Sequence, residues 1–285
     1  MPSRGLVRAA GTAAAATLAW GLFEAQWVQC RRLPIPVPGL PPELAGLRIL
    51  HLSDPHLGSV SLNARALDRA VAFGARSRPD LVAVTGDLLA RQRGEETMRR
   101  ALAAIESAHG SFAVLGNVDV ADTRDPFSTG GVPGLAPYAR LLADRSVSLE
   151  INGRHVQIAG LSADSRFFPD AGLADRAADL RILLAHFPET VDRLPPGTFE
   201  LVLSGHTHGG QICLPYPGGK VRFGGLKPPY PEGVYELPGT TLVVSRGIGT
   251  TFVPFRFCAR PEASLLVLEP AGTTRRSTPP GGAYS

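Results

Sequence analysis

Cysteine is scarce in this chain, and the few cysteines are scattered. The 285 residues include Cys30, Cys213 and Cys258 and no others. Three widely separated thiols exclude a disulfide framework and a cysteine-based zinc site. The cysteines neither indicate nor exclude an oxidising compartment.

Dense clusters of basic charge and internal repeats are also absent. The chain carries 29 Lys and Arg against 25 Asp and Glu, a net charge of +4, with no basic run interleaved with aromatic residues. Nucleic acid is therefore not an expected partner. A hydrophobic content of 44% with 19% charged residues is typical of globular proteins, which excludes wholesale disorder.

The N-terminus differs from the rest of the sequence. Two arginines precede an uncharged run from Ala9 to Phe23, which Glu24 ends. The run is short for a membrane span and rich in alanine, so a signal-peptide core, an interfacial helix or an alanine-rich helix packed on the domain are alternatives. We expect residues 1–26 to form an uncleaved membrane anchor. Basic residues on both sides of the run leave its orientation open.

Apolar runs alternate with segments of helical periodicity from residue 47 onward. This alternation predicts an α/β domain built from βαβ units. Asn152-Gly153 predicts a type I′ hairpin turn, the proline-rich segment 34–42 an extended connector, and residues 215–233 a long surface loop. One helix is predicted to begin near Leu62 and a second to span Glu95 to Ala108. The predicted strands are Leu47–Leu52, Leu81–Thr85, Phe112–Leu115, Val147–Ile151, Arg154–Ala159, Arg181–Ala185, Leu201–Leu203, Thr241–Ser245 and Ala263–Leu268.

Five of these strands end in side chains that ligate metals. The endings are Asp54 with His56, Asp87, Asn117 with Asp119, His186, and His206 with His208. Ligands of α/β sheets bind beyond the carboxyl ends of the strands, so we expect these side chains to converge. Carboxylate, imidazole and amide ligands without cysteine favour Mn, Fe or Zn, and seven residues suffice for two divalent ions.

The series Asp54-Pro55-His56, Gly86-Asp87, Gly116-Asn117-Val118-Asp119, His186 and Gly205-His206-Thr207-His208 resembles the motifs of the calcineurin-like metallophosphoesterases, and in particular of their bacterial, often membrane-anchored branch. The resemblance implies a four-layer α/β/β/α sandwich of two mixed β-sheets. We expect this domain to span residues 27–270. The small, polar segment 271–285 is predicted to be a disordered tail.

Carried over residue by residue, the resemblance implies two metal sites. Asp54, His56 and His208 would hold one ion, Asn117, His186 and His206 the second, and Asp87 would bridge them. Asp87, Asn117 and Asp119 would be the catalytic residues. In such a centre a metal-bridging hydroxide attacks phosphorus in line, which makes the protein a phosphodiesterase or pyrophosphatase.

One position departs from the family pattern. Where the family has a histidine that contacts the phosphate and protonates the leaving group, this chain has Val118. General acid catalysis typically contributes about 10²- to 10⁴-fold, so two interpretations stay open. Either the substrate releases a group that needs little protonation, such as a phosphate from a pyrophosphate bond, or the chain is a weakened or inactive metal- and phosphate-binding relative. His155 could be a recruited acid, although a solvated strand position explains it as well.

The expected partners follow from the site and the anchor. A phosphorylated small molecule or nucleotide is one substrate class, and a lipid-linked phosphate of the UDP-diacylglucosamine type is another. Asp164 and Arg246 lie in loops that could approach such a substrate. The expected location is the bacterial cell membrane, on a side that the sequence does not fix.

Overall fold

The structure is a computed structural model that describes residues 4–217, 219–223 and 228–272. Within these ranges the chain forms three α-helices and fourteen strands. The helices are α1 (Arg4–Glu24), α2 (Asn63–Ser77) and α3 (Glu95–Ala103). The strands are β1 (Gln29–Val37), β2 (Arg48–Leu52), β3 (Leu81–Thr85), β4 (Ser111–Val114), β5 (Arg140–Leu141), β6 (Arg145–Ile151), β7 (Arg154–Gly160), β8 (Leu180–Leu184), β9 (Leu201–Ser204), β10 (Cys213–Tyr216), β11 (Gly219–Arg222), β12 (Gly233–Leu237), β13 (Thr240–Val244) and β14 (Glu262–Pro270).

Two six-stranded mixed sheets make up the domain. The first has the order β1-β14-β2-β3-β4-β5 and the second β12-β13-β9-β8-β7-β6. In the first sheet β2, β3 and β4 run parallel, and in the second β7, β8 and β9 do. The carboxyl ends of these parallel strands therefore define one edge of each sheet, and the predicted α/β class is confirmed.

The two sheets pack face to face around a shared apolar core. Buried side chains such as Ile49 and Phe112 of the first sheet lie in one cluster with Ile182 and Leu203 of the second. Helices α2 and α3 cover the outer face of the first sheet. The outer layer on the second sheet is thinner, because the short 3₁₀ helix Pro188–Arg193 contributes its apolar residues there. This layering confirms the predicted four-layer sandwich.

The strands expected from apolar runs are present, with ends that differ by a few residues. The predicted hairpin joins β6 and β7, and its turn residues Asn152 and Gly153 have φ values of 51° and 72°, as a type I′ turn requires. Helix α3 is shorter than predicted and ends at Ala103. The predicted helix was too long because the helical periodicity of the sequence continues past the residue at which the backbone leaves the helix.

Two further predictions were wrong. The expected connector at 34–42 is partly a strand, because β1 pairs in parallel with β14 as far as Val37. Pro34 and Pro36 are tolerated there since β1 is an edge strand and pairs on one side alone. The expected loop at 215–233 contains most of the antiparallel hairpin β10–β11. The predicted disorder of the C-terminal tail concerns residues that lie, from position 273 onward, outside the described part of the chain.

Helix α1 is long and apolar enough to cross a membrane. It has 21 residues, its mean hydropathy over the best window is 1.3, and 6% of that window is buried against the rest of the protein. A signal sequence near the N-terminus has the same length and composition. Its carboxyl end does contact the domain: Glu24 is 3% exposed and accepts a hydrogen bond from the backbone of Ala259 at 2.9 Å. The proposed boundaries at residues 26 and 270 stay a prediction.

Candidate metal centre

The predicted ligands lie just beyond the carboxyl ends of five parallel strands. Strands β2, β3 and β4 lead into Asp54, Asp87 and Asn117, while β8 and β9 lead into His186 and His206. Because the two sheets face each other, these strand ends meet at one edge of the sandwich. The structure therefore brings together side chains that are up to 154 residues apart between Asp54 and His208.

One group of candidate ligands consists of Asp54, His56 and His208. Their ligand atoms lie within 4.8 Å of one another. The Nε2 atoms of His56 and His208 are 3.0 Å apart, and Asp54 Oδ1 is 3.5 Å from Nε2 of His208. All three residues are buried. Three lone-pair donors converging on one point out of water are suited to a divalent cation.

A second group consists of Asp87, His186 and His206, again with ligand atoms within 4.8 Å. Nδ1 of His206 lies 3.3 Å from Nε2 of His186. The Oδ2 atom of Asp87 is 3.4 Å from Nε2 of His186 and 3.5 Å from Nε2 of His56. A single carboxylate oxygen thus faces both groups.

Asn117 is the seventh residue expected at the site. Its amide nitrogen donates to the carbonyl oxygen of Asp122 at 2.9 Å, which fixes the orientation of the side chain. Its Oδ1 atom is buried and has no hydrogen-bond partner among the described residues. An unpaired buried oxygen costs about 1–3 kcal/mol, and coordination of a cation would remove that cost.

The backbone of the site is unusual in a way that the sequence did not reveal. Asp54, His56, Asp87, His206 and His208 all have positive φ, between 43° and 69°. The left-handed region disfavours residues with a Cβ by roughly 1–2 kcal/mol each. Such conformations concentrate at functional sites, where the surrounding structure holds them in place.

Two glycines make room for the acidic ligands. A Cβ atom on Gly205 would overlap Ser53 Oγ and Asp54 Oδ2, and one on Gly86 would approach the backbone nitrogen of Gly116 to 2.8 Å. Gly86 also has a φ of +88°. The glycines in the Gly-Asp and Gly-His motifs are therefore required by close approach of the strand ends.

Hydrogen bonds around the site orient the imidazoles. His186 donates from Nδ1 to the carbonyl oxygen of Thr85 at 2.7 Å, which leaves its Nε2 atom facing Asp87. Asp54 accepts from the backbone nitrogen of His206 at 3.1 Å and from the Ser53 hydroxyl at 2.5 Å. Outer contacts of this kind fix ligand tautomers and raise metal affinity.

Burial favours the neutral imidazole of His206, His208 and His51. Burial, with the nearby charge of His186, lowers the pKa of His206 to about 3. Burial, together with His56 and Arg256, lowers the pKa of His208 well below its usual range. Outside the ligand set, burial lowers the pKa of His51 to about 4.

The acidic ligand facing both groups is ionised. Burial opposes the charge of Asp87, but the adjacent His186 and His56 outweigh it and lower its pKa below the ordinary range. Asp87 in turn raises the pKa of His186 to about 10, against the effect of burial.

Val118 and Asp119 occupy the positions where the family pattern has its acid and its supporting carboxylate. Val118 is 3% exposed and donates its backbone N–H to Asp87 Oδ1 at 2.8 Å. Asp119 accepts backbone hydrogen bonds from Leu89 at 2.8 Å and Gly116 at 2.9 Å. Burial and the charge of Asp87 raise the pKa of Asp119 to about 7. In this chain Asp119 braces two loops of the site; its expected catalytic role stays a prediction.

Sequence reasoning missed Arg166. This residue follows β7 in a 3₁₀ helix, and its guanidinium lies 4.6 Å from the ring centre of Phe187, which is itself 4.5 Å from the ring of His206. Arg166 also donates to Asp122 at 2.9 Å and contributes to the low pKa of His206. The available signal was the position of an arginine beside two phenylalanines at the carboxyl end of a parallel strand.

Other candidates take ordinary roles. His155 is exposed near the start of β7, at the end of the strand remote from the site, and its backbone N–H donates to Asp179. It therefore does not replace the missing acid. Asp164 is exposed, and Arg246 pairs with Glu262 at 2.7 Å.

The side chains present fit two divalent cations. Two groups of oxygen and nitrogen donors share an ionised carboxylate, the lowered pKa values of His206 and His208 keep their imidazole lone pairs available, and the Asn117 oxygen lacks a partner among the described residues. No sulfur donor belongs to either group. This donor set suits Mn, Fe or Zn.

Comparisons with known proteins agree with this chemistry. The sequence model of the calcineurin-like phosphoesterase family matches residues 47–210. The chain is 30% identical to an uncharacterised metallophosphoesterase, YkuE, of Bacillus subtilis over 81% of this chain and 82% of that protein. It is 27% identical to the UDP-2,3-diacylglucosamine pyrophosphatase LpxG of Chlamydia trachomatis over 89% and 94% of the two chains.

A vertebrate relative also matches. The transmembrane protein with metallophosphoesterase domain of Danio rerio is 29% identical over 83% of this chain, which spans 56% of that protein. The matched family segment contains all seven predicted ligands, from Asp54 to His208. This chain belongs to the calcineurin-like phosphoesterase family.

Proposed function

We propose that the protein is a phosphohydrolase, a phosphodiesterase or pyrophosphatase, that works with two divalent cations. Asp54, His56 and His208 would hold one cation, and Asn117, His186 and His206 the other. Asp87 would bridge the pair. The observation that carries the proposal is the position of Asp87 Oδ2, which lies 3.5 Å from Nε2 of His56 and 3.4 Å from Nε2 of His186.

When bound, the two cations would supply an activated water and neutralise charge on the phosphoryl oxygens during in-line displacement. The protein contributes rigid positioning. Asp87 is held by the backbone N–H of Val118, His186 by the carbonyl of Thr85, and Asn117 by its contact with Asp122. Groups locked in this way need no reorganisation when charge develops in the transition state.

Arg166 is the basic side chain that we expect to bind the phosphate of the substrate. Valine at position 118 cannot contact a phosphate, whereas the guanidinium of Arg166 stands beside Phe187 and close to His206. Its partner Asp122 has 61% of its side chain exposed, so the ion pair is weak enough to reorganise. An arginine offers bidentate hydrogen bonds to a phosphate, but its guanidinium stays protonated and gives no proton to a leaving group.

This combination favours substrates with a good leaving group. A phosphate leaving from a pyrophosphate bond has a pKa near 6, so it departs without general acid assistance. An alkoxide would require the proton that Val118 cannot supply. We therefore favour hydrolysis of a pyrophosphate bond over that of an alkyl diester.

The substrate and location are proposed from the relatives and from α1. LpxG is by its name a pyrophosphatase of UDP-2,3-diacylglucosamine, and α1 meets the length and hydropathy of a membrane span. A lipid-linked phosphate at the cell membrane is therefore a suitable substrate, with a nucleotide or another small phosphorylated molecule as the soluble counterpart.

A second candidate function rests on Val118. A chain that keeps every ligand but lacks the family's acid could bind metal and phosphate without turnover. The ionised Asp87 and the unpaired oxygen of Asn117 support metal binding under either function.

The test combines metal analysis with a substrate panel. Wild type, Asp87→Asn and the exposed control Asp68→Asn are reconstituted with Mn, and bound metal is measured beside hydrolysis of a pyrophosphate-linked nucleotide and an alkyl phosphodiester. We expect two metals per chain and pyrophosphate hydrolysis in wild type and Asp68→Asn, and loss of both in Asp87→Asn. Fewer than one metal per wild-type chain would refute the site.

A Val118→His variant separates the two functions. If wild type hydrolyses neither substrate while Val118→His hydrolyses the diester, the protein is a metal- and phosphate-binding relative. If wild type hydrolyses the pyrophosphate, and Val118→His also hydrolyses the diester without a change in pyrophosphate hydrolysis, the leaving-group argument holds.

A further inference from the structure

The hairpin β10–β11 exposes an apolar face to solvent and turns its basic face toward the protein. Strand alternation and pairing place Leu214, Tyr216, Val221 and Phe223 on one face, with Leu214 directly opposite Val221. These side chains are 57%, 53%, 47% and 58% exposed. A solvated hairpin face normally carries polar residues, so this exposed apolar face requires an explanation.

The other face of the hairpin is basic and turned toward the metal loop. Lys220 and Arg222 both pair with Glu232, at 3.2 and 3.3 Å. The aliphatic part of Arg222 lies against Gly210, where an added Cβ would come within 2.7 Å of it. The basic face of the hairpin therefore lies against the loop that carries His206 and His208, and its apolar face points away from that loop.

The loop 250–258 joins the hairpin to helix α1. The backbone nitrogen of Cys213 donates to the carbonyl of Phe257 at 2.8 Å, and Phe257 packs against Gly21, where a Cβ would meet its ring at 2.5 Å. The same loop exposes Phe252 and Val253, by 49% and 38%. The hairpin thus contacts the loop, and the loop contacts the carboxyl end of α1.

The end of α1 has the residues of a membrane interface. Both tryptophans of the chain lie there, Trp20 and Trp27, 49% and 45% exposed, with Phe23 between them at 53%. Arg260 stacks on Trp27 at 3.7 Å. Tryptophan and arginine are favoured at the level of lipid headgroups, where an apolar ring and a charged group both find partners. Glu24, the first acidic residue of the chain, is buried and bound to Ala259.

We propose that the apolar face of β10–β11, the tip of loop 250–258 and the end of α1 form one surface that enters the headgroup region of a lipid bilayer and holds the metal centre at the membrane. This proposal rests on the membrane association proposed for α1. Once α1 lies in the bilayer, its carboxyl end sits at the interface, and the surface that packs on this end lies there as well. The surface would present the metal centre to phosphates attached to lipids.

The test places a reporter on the hairpin. Leu214→Trp is made in a full-length Trp20→Phe, Trp27→Phe background and mixed with vesicles of phosphatidylcholine and phosphatidylglycerol, with and without lipids brominated in the upper acyl chain. Tyr138→Trp in the same background is the matched control, because Tyr138 is 40% exposed and packs beside Arg99 of α3. Val221→Trp, opposite Leu214, is a second reporter should the first variant unfold.

We expect brominated lipid to quench Leu214→Trp and Val221→Trp strongly and to leave Tyr138→Trp unchanged. A protein that floats with the vesicles but whose hairpin tryptophans are not quenched overturns the proposal, and concentration-dependent dimers of that protein would then assign the face to a second copy of the chain. A protein that does not float overturns it together with the membrane role of α1. Metal content and hydrolysis of soluble substrate, measured on the same samples, test the proposed function independently.

Discussion

Arg166→Gln is the variant that best tests how the site works without the family's histidine. The substitution keeps a side chain that reaches Asp122 and Phe187 but removes the charge. If the guanidinium binds the phosphate, the variant loses a charge-assisted hydrogen bond, which is worth about 1.5–3 kcal/mol. This corresponds to a fall in kcat/KM of roughly 10- to 100-fold.

The structure predicts little effect on stability or metal binding. The pair with Asp122 is partly solvated, with 20% of the Arg166 side chain and 61% of the Asp122 side chain exposed, so it contributes at most about 1 kcal/mol. Such a change shifts Tm by about 2–4 °C in a domain of this size. Arg166 belongs to neither group of ligands, and the metal content should stay at the wild-type value.

The assay compares Arg166→Gln with Arg166→Lys and with Arg193→Gln. Arg193 is the matched control. Its guanidinium lies 5.8 Å from the ring of Phe167, while that of Arg166 lies 4.4 Å from the same ring, and it is Arg166 whose guanidinium stacks on Phe187. Arg166→Lys should recover part of the activity, since it keeps the charge without the bidentate geometry. Wild-type kcat/KM in Arg166→Gln, or an equal loss in Arg193→Gln, would refute the assignment.

Three further predictions concern the frame of the site. Gly205→Ala should cost about 1–3 kcal/mol of unfolding free energy and reduce metal content, because the new methyl group overlaps Ser53; Gly134→Ala, whose Cβ would meet a flexible carboxylate at 3.1 Å, is the control in denaturant titrations. Chelation with EDTA should lower the free energy of unfolding by about 3 kcal/mol when metal had been present at roughly 100 times its Kd, measured as a fall in Tm that added Mn reverses. His51 is neutral and buried with a pKa of about 4 against 6.5, so its contribution to stability is complete above pH 6.5 and is lost as pH falls, by about 2 kcal/mol at pH 5. His51→Gln, which keeps a polar group near Thr85, should flatten the loss measured in metal-free protein between pH 7 and 5; equal slopes for both proteins would contradict the assignment.

Much of this fold and its candidate ligands could be predicted because both depend on short-range signals. The run from Leu81 to Val84 is apolar at every position, since that strand is covered on both faces, and Thr85, Gly86 and Asp87 follow it. Parallel strands end at the same edge, so side chains that follow them converge whatever their separation along the chain. The convergence of Asp54 with His208 needed no knowledge of loops.

Features that depend on irregular backbone were not predictable in this way. The positive φ of His56 or His208 is imposed by the tertiary structure and leaves no mark on residue type. The strand β1 was hidden by its prolines, which an edge position tolerates. The hairpin β10–β11 was hidden because its apolar face is exposed, whereas burial is what usually gives a strand its pattern. Arg166 reaches the site through a loop of 3₁₀ geometry, whose path no periodicity describes.

One buried arginine connects the end of α1 to the candidate metal centre. Arg256 is fully buried; its backbone N–H donates to the carbonyl of Gly21 in α1 at 3.1 Å, and its guanidinium donates to Nδ1 of His208 at 3.2 Å. Burial lowers its pKa to about 10, so it stays charged at neutral pH, and further donation to carbonyls such as that of Ala259 at 2.8 Å satisfies the guanidinium. A fixed positive charge beside His208 disfavours protonation of that imidazole and so keeps a ligand available for the cation. The end of α1 and the candidate ligand His208 are thus held by the same residue, through its backbone and its side chain. If α1 lies in a bilayer as proposed, we therefore expect its position to fix the position of the candidate metal centre.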